Sequence, residues 1–367
     1  MIYFDHNATT PLDERVLAAM LPFLQTFYGN PSALYRIGRI ARSAIESARA
    51  QVAALVSVQP EQVIFTSGGT EANNLALHQL SEHRKLLISA LEHPSILEPA
   101  QQRQFRGTDL LVADVDSAGL LDATLLQNTP WNPSDLVSLQ LANNETGVIQ
   151  TISDHAASLR LQQVIVHSDA TQAAGKIPLI FKELQVNMLS LSSHKLYGPK
   201  GCGALIIEPD FKLKPLLLGG GQEHGARSGT ENVANIVGFG KAAELALIEQ
   251  AQRQEYVVTL RTQLEQALKT IPGVVIFSEK APRLPNTVQL GKPGLDGEML
   301  LMQLDRHGIA VSSGSACASG GGKPSAILKA MGVEDSLAKS AIRVSLGHTN
   351  TAEEITTFIS HIKKLIP

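Results

Sequence analysis

The chain has 367 residues, 44% of them hydrophobic, and 31 Lys and Arg against 34 Asp and Glu give a formal net charge of -3. That length and apolar content fill a large core spread over two or three domains and exclude a disordered chain. The near balance of charge leaves no overall field favouring nucleic acid or an anionic membrane, so neither is expected as a partner. The only cysteines, Cys202 and Cys317, lie far apart without paired ligand spacing, so neither a disulfide scaffold nor a metal site is expected. The opening MIYFDHNATTP is too polar for a signal peptide and no apolar run reaches membrane-spanning length, which leads to the expectation of a soluble cytoplasmic protein.

Residues 13–58 read as helices punctuated by Pro11 and Pro22, with alanine-rich helical spacing over 39–55. A strand over 63–66 ends in Ser67-Gly68-Gly69-Thr70-Glu71 and feeds a helix reaching about residue 80. Strands over 86–89, 110–115, 136–141 and 164–166 alternate with helices over 94–105 and 153–162. Strands over 188–191 and 204–207 flank the run Ser192-Ser193-His194-Lys195-Leu196-Tyr197-Gly198-Pro199-Lys200-Gly201. This alternation predicts an α/β domain with a mostly parallel sheet covered on both faces. A long helix over 242–268 then links to a different, α+β pattern: strands over 274–277, 287–290 and 342–345, and helices over 296–307, 326–331 and 352–365. The Gly- and Ser-rich stretch 314–322 reads as a pliable loop.

Several strand ends carry chemistry. The glycines and hydroxyl of Ser67-Gly68-Gly69-Thr70-Glu71 can present free backbone N–H groups to a phosphate, or form only a Thr-capped helix start. They lack the spacing of nucleoside-triphosphate and dinucleotide loops. Asp169, closing a buried-looking strand with Gln172 three residues on, can pair with a protonated pyridine nitrogen or merely cap a helix. His93, between Glu92 and Pro94, can stack on a flat cofactor or exchange protons. Lys195, next to the potential phosphate donors Ser192 and His194 and before a rigid Gly-Pro turn, suits a Schiff-base lysine. Arg343 sits in an apolar strand and needs a partner, which a substrate carboxylate or an internal acid would supply equally well. Cys317 lies among small residues rather than bulky apolar ones, as a nucleophile or group carrier does, whereas Cys202 reads as a packing residue.

In order along the chain, Asp5-His6-Asn7-Ala8-Thr9-Thr10-Pro11, residues 66–74, Glu92-His93-Pro94, Asn143-Asn144-Glu145-Thr146-Gly147, His167-Ser168-Asp169-Ala170-Thr171-Gln172, residues 192–201, Arg227-Ser228-Gly229-Thr230, Ser313-Gly314-Ser315-Ala316-Cys317 and the Arg343 segment resemble the cysteine desulfurases. These are pyridoxal-phosphate enzymes of fold type I in the class V aminotransferase superfamily, and the likeness runs over nearly the whole chain. It implies a large cofactor-binding domain over 13–249. A smaller domain would be built from 1–12 and 250–367, including a mobile cysteine loop at about 314–325.

The same resemblance implies the roles. Lys195 would carry pyridoxal 5'-phosphate and later move protons. Asp169 would pair with the ring nitrogen, Gln172 with the phenolic oxygen, and His93 would stack on the ring. Gly69, Thr70, Ser192 and His194 would hold the phosphate, joined by Thr230 of the other subunit of a homodimer. Asn144, also beside the cofactor, and Arg343 would orient the carboxylate of L-cysteine. Cys317 would take the substrate sulfur as a persulfide, releasing L-alanine, and deliver it to an iron–sulfur scaffold or sulfur-carrier protein for cluster assembly or tRNA thiolation. The loop sequence resembles the branch with the longer mobile loop. Because residue 367 follows the last helix so soon, the scaffold-docking tail of some members is not expected here, and His224 and His348 stand where members often carry arginine. Alternatives are a selenocysteine lyase or another class V enzyme such as an aminotransferase. A non-catalytic sulfur relay is disfavoured because Lys195 and Asp169 are both present.

Overall fold

The computed structural model describes residues 1–313 and 324–366. A seven-stranded sheet dominates it, in the order Val63–Thr66, Gly203–Ile207, Met188–Ser192, Ile165–Asp169, Leu136–Gln140, Lys85–Ser89, Asp109–Ala113. The pairs among the last five are parallel, whereas the first two strands run antiparallel at one edge. Side chains alternate between two apolar cores. Leu87, Val137, Leu189 and Ile206 enter the core beneath the helices Arg36–Leu55 and Val233–Leu268. Their neighbours Leu86, Leu136, Met188 and Leu205 enter the core beneath Gly69–Leu77 and Pro94–Phe105. Burial on both faces explains why these strands read as apolar runs in the sequence.

The helix Val233–Leu268 starts earlier than residue 242, because Gly238 and Gly240 hide its periodicity. Both glycines are there for close approach. A Cβ on Gly240 would lie 2.5 Å from the Cα of Ala48, and one on Gly238 would lie 2.6 Å from the Met20 sulfur. Packing therefore overrides the low helix propensity of glycine. Pro22 does not break its helix; it sits inside Glu14–Gln25, near the end, where Val16 and Met20 bury against the long helix. The strand predicted over 164–166 continues through Asp169, and the short helices Thr124–Asn128, Phe181–Leu184 and Asp335–Lys339 have no counterpart in the sequence pattern.

The far half of the long helix turns Val257, Leu260, Leu264 and Leu268 into a separate core shared with Phe4, Val288, Ile342, Val344 and Phe358. There an antiparallel sheet runs in the order Ser312–Ser313, Ile342–Ser345, Thr287–Gly291, Val275–Ile276. The N-terminal strand Ile2–Tyr3 joins this half by pairing in parallel with Ile309–Ala310. Residues 5–10 then cross back to the large sheet, where Thr10 N–H donates to the His194 carbonyl. Among the described residues no helix is long and apolar enough to cross a membrane.

Candidate active site

The parallel strands end along one edge of the sheet, where α/β proteins open a crevice. Ser89 leads to Glu92 and His93, Gln140 to Asn144, the strand Ile165–Asp169 to Gln172, and Met188–Ser192 to Lys195. Together they enclose a cavity of ≈ 250 Å³ lined by Gly69, Thr70, His93, Asn144, Asp169, Gln172, Ser192, His194 and Lys195. Nine of the eleven residues singled out for the site, apart from Cys317, thus meet in one place. Arg343 reaches its rim, donating to the Asn144 carbonyl at 3.0 Å. Thr230 instead lines a separate cavity of ≈ 170 Å³ with Glu223, Arg227 and Cys202. Cys317 and the glycines at 314 and 320–322 lie outside the described residues.

Asp169 is 4% exposed. Its Oδ1 accepts from Thr171 N at 2.9 Å and its Oδ2 from Asn73 Nδ2 at 2.7 Å, so the carboxylate is fixed rather than free to rotate. His93 caps the helix Pro94–Phe105, its Nδ1 accepting from Ser95 N at 3.1 Å. That bond places the proton of the neutral ring on Nε2. Burial, and then nearby Lys195, hold the imidazole below its ordinary pKa, while Asp169 pulls the other way. His194 is lowered to about 4 by burial and by Lys195, Lys200 and Lys176, so it too is neutral at pH 7. Lys195 ends the tight turn Ser193–Lys195, and its Nζ donates to the carbonyls of Asn7 at 2.6 Å and Ala8 at 2.8 Å.

One end of the cavity suits a phosphate. The helix Gly69–Leu77 begins there, and its cap is Gly68 at φ 153° with no side-chain cap bond; Thr70 is therefore inside the helix and not its cap. The buried Oγ atoms of Ser192 and Thr171 have no hydrogen-bond partner among the described residues. Unpaired hydroxyls beside free helical N–H groups form an anion cradle. A Cβ on Gly69 would come within 3.0 Å of Thr171 Oγ1 and crowd that cradle. The donor set, with Asp169 at the other end and an amine between, fits pyridoxal phosphate.

Arg343 is 5% exposed at its side chain and pairs with Asp5 at 2.6 Å, so the internal acid left open by the sequence is the partner observed. Its Nε has no partner among the described residues. Cys202 is buried in the main core, which pushes its thiol well above the ordinary range, in keeping with a packing role.

The pattern of the aminotransferase class-V family matches residues 2–358. Cysteine desulfurase 2 of Trichormus variabilis is 42% identical over 97% of this chain and 90% of its own length. A solved NifS-like protein superposes with a TM-score of 0.92 at 36% identity, covering 99% of this chain and 98% of that one. SspA, solved in complex with cysteine, matches with a TM-score of 0.82 at 29% identity over 96% of this chain and all (100%) of its own. The chain belongs to the cysteine desulfurase family. Its mixed sheet with flanking helices is accordingly the fold type I architecture of pyridoxal-phosphate enzymes.

Within this desulfurase-family site, sequence reasoning missed the residues that hold the others. Asn73 restrains Asp169 and also donates to Ser95 Oγ at 2.8 Å. Its position one helical turn after Thr70 was the available signal. Asn7 lies in a quoted motif, yet its contacts come from both halves of the chain. Its Nδ2 donates to Thr287 Oγ1 at 2.8 Å and to the Asn144 carbonyl at 3.1 Å, and its Oδ1 accepts from Asn286 Nδ2 at 3.0 Å. Glu92 is fully enclosed, and burial raises its pKa to about 8. His348 packs edge-on against Tyr197 with centroids 4.2 Å apart, and burial followed by Arg253 lowers it to about 4, so it contributes a neutral ring.

Proposed function

We propose that this chain converts L-cysteine to L-alanine with pyridoxal phosphate, passing the sulfur through Cys317 to an acceptor protein. The single observation that carries the reading is the enclosure of Lys195, Asp169, His93 and Gln172 in one cavity whose end is an anion cradle. Bound there, pyridoxal phosphate supplies a protonated ring that accepts the electron pair left on the substrate α-carbon. Lys195 would carry the cofactor, and its amine would move the substrate α-proton. Asp169 keeps the ring nitrogen protonated, and its two donors hold it on line for that task. Gln172 faces the phenolic oxygen, and neutral His93 covers the ring. Gly69, Thr70, Ser192 and His194 bind the phosphate.

Asn144 and Arg343 hold the substrate carboxylate. Arg343 arrives with Asp5 fixing one nitrogen and Nε left over for the substrate. The segment containing Cys317 leaves the described structure after Ser313, whose strand pairs Ser312 with Arg343. It returns at Pro324, beside Ser325, whose Oγ donates to Glu145 Oε2 at 2.6 Å. Both ends thus lie at the carboxylate rim, which supports the reach of Cys317 to the substrate sulfur. The Cys317 thiolate attacks that sulfur, the carbon–sulfur bond breaks with its electrons going to carbon, and the three-carbon remainder takes up a proton at that carbon and leaves as L-alanine, with the persulfide on Cys317. The relative solved with cysteine supports L-cysteine as substrate.

The working form is a cytoplasmic homodimer, with 13–249 as the cofactor domain and 1–12 plus 250–367 as the smaller one. Thr230 then completes the phosphate site of the partner subunit. Exposed Tyr28, Leu34 and Leu218 (77%, 87% and 84% exposed) supply apolar surface for that contact. An iron–sulfur scaffold or sulfur carrier receives the persulfide.

Purified protein is expected to show the visible absorbance of lysine-bound cofactor and to release sulfide from L-cysteine with reductant. Cys317→Ser keeps the colour and loses turnover; full sulfide release by that variant refutes the persulfide route. Labelled L-cysteine followed by mass spectrometry at Cys317 and on candidate acceptors identifies the recipient.

A further inference from the structure

Lys176 has no role in the reading above, yet its amine is inside the network that supports the cofactor residues. Its Nζ donates to Gln172 Oε1 at 2.7 Å and to Asn7 Oδ1 at 2.9 Å. Gln172 Nε2 in turn donates to the Asn7 carbonyl at 2.9 Å, the same oxygen that receives Lys195 Nζ at 2.6 Å. These bonds fix which way the Gln172 amide faces. Turning it over would set its oxygen against the Asn7 carbonyl and take that oxygen from the Lys176 amine, losing two hydrogen bonds and creating a repulsive contact between two oxygens. One N–H of Gln172 Nε2 is used on the Asn7 carbonyl, and Gln172 also lines the candidate cofactor cavity.

We propose that Lys176 is a positioning residue that locks the Gln172 amide with its N–H edge toward the cofactor's phenolic oxygen. This inference rests on the proposed cofactor site. The device is paired: Lys176 holds the amide oxygen and Asn7 holds the amide nitrogen. Asn7 is itself held by Asn286, Thr287 and Ser345, which come from the smaller core's strands and their approaches. The orientation of Gln172 therefore depends on contacts from both halves of the chain. Other titratable groups around the Lys176 amine are Lys195, Arg343, His6 and His194. Burial, Lys195 and Arg343 hold Lys176 well below the usual lysine range, which suits a hydrogen-bond donor placed for geometry and not an ion paired to an acid.

The test is a pH titration of the visible absorbance of lysine-bound cofactor in the intact holoenzyme, with unfolding of each variant followed alongside. In Lys176→Met the amide is released, and a Gln172 oxygen facing the phenolic oxygen favours protonation nearby. The titration midpoint is expected to move up by about one pH unit, the equivalent of one net hydrogen bond. In a Gln172→Leu background, Lys176→Met is expected to move the midpoint no further. Lys176→Arg keeps donors for both acceptors, has the adjoining ≈ 40 Å³ cavity to grow into, and is expected to titrate as the wild type does. An unmoved midpoint in Lys176→Met, or an equal shift in the Gln172→Leu background, overturns the proposal. If the methionine variant does not fold, a displaced midpoint in Lys176→Arg overturns it and an unchanged one supports it. Absence of visible absorbance in the wild type would instead refute the cofactor site itself.

Discussion

Removing Glu223 tests how the segment bearing Thr230 is anchored. Glu223 and Arg49 are each 3% exposed at the side chain and meet through two bonds, Nη1 to Oε2 at 2.7 Å and Nη2 to Oε1 at 2.9 Å. Glu223 Oε2 also accepts from Phe65 N at 2.9 Å, pinning the segment to the edge strand of the sheet. Arg49 stacks on the Phe65 ring at 4.9 Å. Glu223→Gln preserves shape and leaves the guanidinium buried, with Glu46, itself 42% exposed, as its remaining counter-charge among the described residues. Stranding one partner of a buried pair costs about 3–5 kcal/mol, and the remaining Glu46 contact places this case near about 3. Spread over an unfolding entropy set by chain length, that is a fall in Tm of about 4 °C. Arg49→Met with Glu223→Gln removes the stranded charge and is expected to recover at least about half of the loss. Thermal and urea unfolding of the three variants checks this. A single variant as stable as the wild type, or a double variant less stable than the single, refutes the reasoning.

Four further outcomes are expected. Glu92 has its pKa raised to about 8, so the folded chain keeps a proton that the unfolded chain has lost. Stability then falls as pH rises from about 4.5 to about 8, by an amount on the order of a few kcal/mol, and urea titrations of Glu92→Gln show that slope flattened. His167, between Ser138 and Ser190, is lowered to about 4 by burial, with Asp169 opposing; its contribution is present above about pH 6.5 and lost as pH falls to about 4, so His167→Gln flattens the acid limb of the same titrations. A Cβ at Gly203 would meet Gly68 Cα and the Leu191 carbonyl at 2.7 Å, so Gly203→Ala displaces the start of the phosphate-facing helix. Equilibrium binding of pyridoxal phosphate weakens at least about tenfold, and the fold loses about 1–3 kcal/mol. Arg343→Lys leaves Asp5 a point charge and takes away the spare Nε, raising KM for L-cysteine by about tenfold or more while the visible spectrum is kept.

The sequence alone determined the strand–helix alternation, because central strands buried on both faces read as apolar runs, and the candidates His93, Asn144, Asp169, Gln172, Ser192 and Lys195 fell at or just beyond the ends of those strands. The ordered motifs determined the family, and with it the fold. Tertiary structure decided what no local pattern carries. It chose Asp5 as the partner of Arg343, since residues 5 and 343 meet only after the N-terminal strand crosses between the two cores. It also started the long helix at Val233, because the fit of Gly238 and Gly240 against neighbouring helices outweighs their weak propensity. The contacts that make Asn73, Asn7 and Lys176 supports of the site were not legible for the same reason. Asn73, Asn7 and Lys176 are ordinary polar residues in sequence, and their importance arises from hydrogen bonds to groups up to hundreds of residues away. A chain records which residues can do chemistry through their type and flanks; which of them are held still is a property of long-range packing, where burial drives most polar atoms to find partners.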